Sequence, residues 1–256
     1  MQVYIQAAPE EAQAAASLRR PLAHAAYRIG PDSALLRRNL LLQTKGGLLS
    51  ISDREAPVIT DPEALCAAVL RECGRRNYQG VLLDFESSAT PDRAAFVRRL
   101  GEVLSAGRRS LYVPESYAAA SSQASVLVCA AVSGGGFADH LRESARRFGS
   151  GKLALDMECL RMDFSLPALS GMGEPLTAQR LEALLAQKSP VVFFSQELCA
   201  RYFTYLREGE SHFVLFDDAD TLRQKLRTGT ALGYTAAFFV WPEIQSLAGA
   251  LFPGSS

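Results

Sequence analysis

The feature that most constrains the fold of this chain is a regular alternation of strand-like and helix-like stretches along nearly its whole length. Such an alternation is typical of βα-repeats that build a parallel sheet. The strand-like runs are Val3–Gln6, His24–Arg28, Gly47–Ser52, Tyr78–Glu86, Ser110–Val113, Ser125–Ala131, Lys152–Cys159 and Ala236–Trp241. Eight such strands in 256 residues predict an α/β fold, a single (β/α)8 TIM-type barrel over residues 1–256.

Helix signals are clear between several of these strands. Asp61-Pro62 and Thr90-Pro91 each place a capping residue before a proline at the first helical position. Apolar residues recur at helical spacing from Phe96 to Leu104, which predicts a buried helix face. Later in the chain, Val191–Phe194 and His212–Phe216 predict a small inserted hairpin before the last long helix.

Two connections leave alternatives open. Ser33–Leu41 is compatible with a short helix. The run Gly134-Gly135-Gly136 precedes a helix and could cradle a phosphate. No GxGxxG pattern or P-loop lysine accompanies it, so a flexible connection is the better interpretation.

Charge and cysteine content argue against several classes of protein. Twenty-seven basic and 27 acidic residues give a formal net charge of +0, so we expect no nucleic-acid partner. No apolar run is long enough to span a membrane, and the N-terminus lacks signal-peptide regions, so we expect a cytoplasmic protein.

The five cysteines form no CxxC pair and are expected to be reduced core residues. The three scattered histidines lack ligand spacing, so no metal or other cofactor is expected.

The fourth strand ends in two acids, Asp84 and Glu86. Because a strand alternates faces at every residue, both carboxylates should point to the same side. Acids at the tip of a buried strand are costly without a partner or a task, and the carboxyl ends of barrel strands are where chemistry is found. The alternative interpretation is a strand cap bonded to a neighbouring loop.

Other strand ends carry similar residues. These are Glu115, Asp156, Glu158, Trp241 and Glu243. Acids bind hydroxyl groups and move protons, and a flat aromatic ring stacks on a sugar face, so the set predicts a carbohydrate cleft. Two alternatives stay open: the acids of the seventh strand could pair with Lys152 or Arg161, and Trp241 could belong to the core.

The segment Gln79-Gly80-Val81-Leu82-Leu83-Asp84-Phe85-Glu86 resembles the DGxDxDxE signature of glycoside hydrolase family 18. It looks closest to the spore-germination branch, which includes cortex-lytic N-acetylglucosaminidases. Asp92-Arg93 is also similar to that branch, as is the block from Tyr202 through Phe216-Asp217-Asp218 to Trp241. The resemblance covers about Gly47 to Glu243. It implies a barrel that hydrolyses β-linked polymers of N-acetylglucosamine, such as peptidoglycan, spore cortex or a chitin-like glycan.

The resemblance also implies roles for individual residues. Glu86 matches the general acid/base. Asp84 matches the acid that orients the acetamido group of the substrate, which is the nucleophile in this substrate-assisted mechanism. Trp241 matches the floor under the bound sugar.

This sequence departs from the family pattern at three positions. Gln79 replaces the first acid of the motif, and Leu82 replaces the middle acid, which predicts that Asp84 loses its buried polar partner. Ala131 matches the tyrosine that holds the acetamido oxygen. These changes motivate an alternative, a catalytically impaired carbohydrate-binding or structural protein on the same barrel.

A third hypothesis is a barrel enzyme of different chemistry that uses Asp156 and Glu158. Relatives in the spore branch are often deposited on spores, so a spore-associated location is an expectation beside the cytoplasmic one.

Overall fold

The computed structural model describes residues 1–38, 45–149, 151–167 and 173–254. Its strands are β1 (Gln2–Ala7), β2 (Leu22–Ile29), β3 (Leu35–Arg37), β4 (Leu48–Ser52), β5 (Gly80–Asp84), β6 (Ser110–Pro114), β7 (Ser125–Cys129), β8 (Leu153–Asp156), β9 (Arg161–Leu166), β10 (Glu174–Pro175), β11 (Phe193–Ser195), β12 (Ala200–Arg207), β13 (Glu210–Phe216) and β14 (Ala236–Val240). Its helices are α1 (Ala12–Ala16), α2 (Pro62–Arg76), α3 (Pro91–Ala106), α4 (Phe137–Phe148), α5 (Ala178–Lys188), α6 (Ala219–Ala231), α7 (Trp241–Ile244) and α8 (Ala248–Leu251), with short 3-10 helices at Pro31–Ser33 and Glu115–Ala120.

Eight parallel strands close into a barrel in the order β1-β14-β8-β7-β6-β5-β4-β2, and the pairing of β1 with β2 completes the ring. The predicted (β/α)8 fold is confirmed, and each predicted strand run overlaps one barrel strand. The connection after β2 differs from the prediction, because Leu35–Arg37 forms β3 and pairs antiparallel with β2. Tertiary pairing therefore overrides the helical pattern at this point; residues 39–41 lie outside the described part of the chain.

The outer helices begin where the capping signals place them. The Asp61 carboxylate accepts a hydrogen bond from the main-chain N–H of Ala64 at 2.9 Å, and α2 starts at Pro62. The predicted apolar face of α3, from Phe96 to Leu104, is buried against the barrel. Among the described residues, no helix is both long and apolar enough to cross a lipid bilayer.

A second sheet is inserted between β8 and α6. It has five antiparallel strands in the order β10-β9-β13-β12-β11, and it packs one face against α5. The predicted two-stranded hairpin is therefore too small. The aromatic segment between its two runs forms β12, and Arg161–Leu166 forms β9, which pairs with β13. Because β9 and β13 are far apart along the chain, a local pattern cannot reveal that they pair.

The lumen of the barrel is filled by side chains. The rings of Tyr4 and Phe238 stack with centroids 5.1 Å apart, and Tyr112 meets Phe238 edge-on at 4.8 Å. Near the other end of the lumen, a Cβ atom on Gly80 would lie 2.3 Å from the carbonyl oxygen of Ser110, so the glycine of the motif permits β5 to pair closely with β6. A filled lumen leaves the strand ends as the place for a binding cleft.

Candidate active site

The carboxyl ends of the barrel strands surround an open cleft with a volume of about 340 Å³. Its floor is apolar, because Leu82, Leu127 and Phe238 belong to the layer of side chains that fills the lumen. Its polar lining comes from residues at or just after the strand ends: Gln6, Asp84, Glu86, Glu115, Cys129, Asp156, Glu158 and Glu243. The carboxyl ends of the strands are where barrel enzymes of this architecture carry their chemistry, so this cleft is the candidate active site.

Asp84 lines the cleft at the end of β5. Its Oδ2 atom accepts a hydrogen bond of 2.7 Å from Nε2 of Gln6, at the end of β1. Because β2 and β4 separate β1 from β5 in the ring, this bond spans the lumen. Burial raises the pKa of Asp84, whereas the amide donor favours the ionised form. Leu82 offers no polar group to Asp84, as the sequence predicts, but the partly buried Gln6 supplies a polar partner from another strand.

Glu86 lies at the rim of the cleft, two residues beyond Asp84. The intervening Phe85 ring packs edge-on against Tyr117 with centroids 5.3 Å apart. The Oε1 atom of Glu86 lies 3.3 Å from Nη2 of Arg54. Both carboxylates therefore lie at one cleft, as the sequence predicts, although β5 itself ends at Asp84.

The main chain at Glu86 is held by Asp53, an acid directly after β4. The Asp53 carboxylate accepts hydrogen bonds from the N–H groups of Glu86 (2.9 Å) and Ser87 (3.4 Å), and from the Ser87 hydroxyl. It is buried and forms an ion pair with Arg93 at 3.4 Å. The sequence patterns did not single out Asp53, although an acid just after a buried barrel strand is the same signal that marks Asp84.

The other predicted acids also line the cleft: Glu115, Asp156, Glu158 and Glu243. Glu243 Oε2 accepts a hydrogen bond of 2.8 Å from the main-chain N–H of Cys159. The thiol of Cys129 lies 3.7 Å from Glu158 Oε2. Cys129 was expected in the core, but as the last residue of β7 it is exposed at the cleft instead.

The alternative ion pairs for the two acids of the seventh barrel strand do not form within the described part of the chain. Lys152 donates to the main-chain carbonyl of Ser122 at 2.7 Å. Arg161 donates to the main-chain carbonyl of Glu243, also at 2.7 Å. Both cations are therefore engaged elsewhere, and Asp156 and Glu158 line the cleft.

Asp156 has the most strongly altered electrostatic environment among the acids of the cleft. It keeps some exposed surface, but protein atoms enclose most of its carboxyl group, and this burial raises the pKa of Asp156 to about 7. Repulsion from Glu158, Asp84 and Glu243 acts in the same direction. Burial likewise raises the pKa of Glu243. A carboxyl group can donate a hydrogen bond when it is protonated and only accepts when it is ionised, so a raised pKa extends the pH range over which these acids can donate to a ligand.

Trp241 is not among the described residues that line the cleft. Ala236 and Phe238 face the lumen and Val240 lines the cleft, so the alternation directs Trp241 to the opposite side. It begins α7 and is buried in the apolar layer between the barrel and its outer helices. Trp241 therefore belongs to the core, which was one of the two alternatives for this residue. It is not in a position to form the expected platform under a bound sugar.

The fold and the cleft define this chain as an α/β-barrel protein with a carboxylate-lined site at the strand ends. No protein-family model matches the sequence, and no curated protein matches it either. Solved structures do match. A glycoside hydrolase family 18 N-acetylglucosaminidase from Paenibacillus barengoltzii is similar over 99% of both chains, with a TM-score of 0.72 and 15% identity.

A chitinase from Chromobacterium violaceum has a TM-score of 0.70 and 17% identity over 98% of both chains. The spore cortex-lytic enzyme SleL of Bacillus cereus has a TM-score of 0.69 and 16% identity, over 98% of this chain and 74% of that one. These similarities confirm, at the level of the fold, the resemblance drawn from the motif at residues 79–86.

Proposed function

We propose that this protein is a glycoside hydrolase that cleaves β-linked polymers of N-acetylglucosamine, either peptidoglycan and spore cortex or a chitin-like glycan. The observation that carries the proposal is the placement of Asp84 and Glu86 on one cleft, with Asp84 fixed by Gln6 and the main chain of Glu86 fixed by Asp53. The solved structures with a similar fold, which are a chitinase, an N-acetylglucosaminidase and a cortex-lytic enzyme, support this class of substrate.

In the proposed reaction Glu86 donates a proton to the glycosidic oxygen while the bond from that oxygen to the anomeric carbon breaks. The acetamido carbonyl oxygen of the same sugar attacks the anomeric carbon, and Asp84 orients the group and stabilises the positive charge that develops on it. Glu86, now ionised, takes a proton from the water that opens the cyclic intermediate, so the anomeric configuration is retained.

Arg54 is part of this proposal because it pairs with Glu86. The two side chains are 73% and 65% exposed. Exposed ion pairs contribute only about 0–1 kcal/mol, so a bound glycan can displace Arg54 from Glu86 at little cost. The rim position also leaves Glu86 accessible to the leaving sugar and to water.

The proposal is tested by incubating the protein with soluble peptidoglycan fragments and with N-acetylglucosamine oligosaccharides, and by measuring new reducing ends. The matched control substrate is the deacetylated glucosamine oligosaccharide, which has no acetamido nucleophile. We expect cleavage of the acetylated polymers only. Equal cleavage of both forms would contradict the substrate-assisted route.

A second candidate function is saccharide binding without turnover. It is favoured by Leu82, which is 2% exposed and packs inside the lumen where the family motif places an acid, and by Ala131, which has no hydroxyl group. This candidate predicts that calorimetry detects binding of N-acetylglucosamine oligosaccharides while no reducing ends appear. Hydrolysis that depends on Glu86 would exclude it.

A further inference from the structure

Asp156 is placed deep in the cleft by the register of the barrel. It is the last residue of β8 and lies level with Cys129 of β7 and Phe238 of β14. Ala154, two residues earlier, belongs to the apolar filling of the lumen, so the alternation directs the Asp156 side chain inward. Its carboxyl group therefore lines the same cleft as Asp84.

The titratable groups that face Asp156 are acids on every side. They are Asp84 from β5, the Cys129 thiol from β7, Glu158 just beyond its own strand, and Glu243 from α7. Three arginines that contact cleft residues are engaged with other groups, since Arg54 pairs with Glu86, Arg147 pairs with Glu115, and Arg161 donates to the main-chain carbonyl of Glu243. Within the described part of the chain no cation is paired with Asp156.

Asp84 and Asp156 thus have different partners although they share a cleft. Asp84 accepts a hydrogen bond from an amide, which favours its ionised form. Asp156 has no such donor among the described hydrogen bonds, and ionising it would place another negative charge in a partly dehydrated group of acids. Burial raises the pKa of both acids, but only Asp84 has an amide donor that opposes this rise, so the two acids can take different roles.

We infer that Asp156 acts as a protonated carboxyl group that donates a hydrogen bond to a neutral acceptor of the bound saccharide, an amide carbonyl or hydroxyl oxygen. The inference rests on the proposed function, because it assigns a positioning role within the same cleft. A neutral carboxyl group has one O–H donor, whereas a carboxylate only accepts. Asp156 is therefore a donor that is lost when the pH rises.

The test is the affinity for an N-acetylglucosamine tetrasaccharide between about pH 5 and pH 9, measured by calorimetry in a Glu86→Gln background so that the ligand is not consumed. With Asp156 present, the affinity should fall by up to about tenfold for each pH unit above about 7, because the protonated fraction falls by that factor. Asp156→Asn keeps an N–H donor and cannot titrate. The Asp156→Asn variant should bind the tetrasaccharide with similar affinity at low pH, and its affinity should not fall as the pH rises.

Asp139→Asn, on the outer helix α4, is the matched control and should keep the decline. A decline that persists unchanged in Asp156→Asn overturns the inference and leaves the proposed function standing. Absence of binding in every variant at every pH contradicts the proposed function and the inference with it.

A second readout does not need a ligand. The 13C resonance of the Asp156 carboxyl group should titrate with a midpoint near 7 in the free protein. A midpoint below about 5, close to the ordinary range of an aspartate, would overturn the inference even if the glycan binds.

Discussion

Single residues decide how this cleft differs from the motif it resembles. The motif loses an acid at Leu82, yet Asp84 regains a polar partner from Gln6 on β1, which two strands separate from β5. An amide donor favours the carboxylate form of Asp84, which is the form that can stabilise positive charge on a substrate. The sequence places Gln6 near the end of the first strand, but it does not reveal that Gln6 bonds to Asp84 on another strand.

Asp53 supports the main chain at Glu86 without being among the described residues that line the cleft. Asp53→Ala removes the acceptors for two main-chain N–H groups and leaves Arg93, which is 11% exposed, without its ion pair. Removing one partner of a buried ion pair costs about 3–5 kcal/mol, so we expect a loss of that size in urea unfolding, together with lower turnover.

The matched variants separate local support from general damage. Asp53→Asn keeps one acceptor oxygen for the Glu86 N–H and should retain more turnover than Asp53→Ala. Asp139→Ala removes an exposed carboxylate and should change stability by about 1 kcal/mol or less. A stable and fully active Asp53→Ala protein would show that the bond to the Glu86 main chain is not needed.

At the scale of elements, local periodicity predicted the buried face of a strand or helix wherever that face is set by the element's own alternation of apolar and polar residues. Strand alternation placed Asp84 and Asp156 on one cleft, and helical spacing identified the buried face of α3. The same alternation directs Trp241 away from the cleft, a consequence that is readable from Ala236 onward. The inserted sheet could not be predicted in the same way, because its pairings join distant segments.

Helix α6 is tied to the cleft end of the barrel by a buried lysine. Lys225 Nζ donates to Asp217 Oδ2 at 2.7 Å and to the main-chain carbonyl of Ala130 at 2.8 Å, and both charged side chains are fully buried. Lys225→Met should destabilise the protein by about 3–5 kcal/mol, because it leaves the Asp217 charge without a counter-ion.

A double-mutant cycle measured by urea unfolding checks this interaction. Asp217→Asn combined with Lys225→Met should recover much of the loss, since no unpaired charge then remains. Arg227→Met, an exposed position on the same helix, is the control and should have a small effect. A double variant no more stable than Lys225→Met would contradict this interpretation.

At the scale of the whole molecule, the barrel topology brings acidic side chains together at one cleft, and the overall composition does not reveal this. The formal net charge of +0 gives no sign of an acidic site. The parallel barrel nevertheless brings acids from the ends of three different strands, and from α7, to one opening. The class of fold followed from the sequence because eight strand signals alternate with helix signals. The partners of each acid depend on contacts across the ring, which no local pattern contains.

Whether this cleft is an active site is decided by the contribution of Glu86 to turnover. The measurement is the rate of reducing-end release from an N-acetylglucosamine oligosaccharide by the parent protein, by Glu86→Gln, and by Glu102→Gln, which changes an exposed glutamate paired with Arg99 on α3. General acid–base groups contribute typically about 10²–10⁴-fold, so Glu86→Gln should lose that factor in kcat while Glu102→Gln keeps the parent rate. A parent protein that cleaves the glycan and a Glu86→Gln variant that cleaves it equally fast would contradict the proposed role.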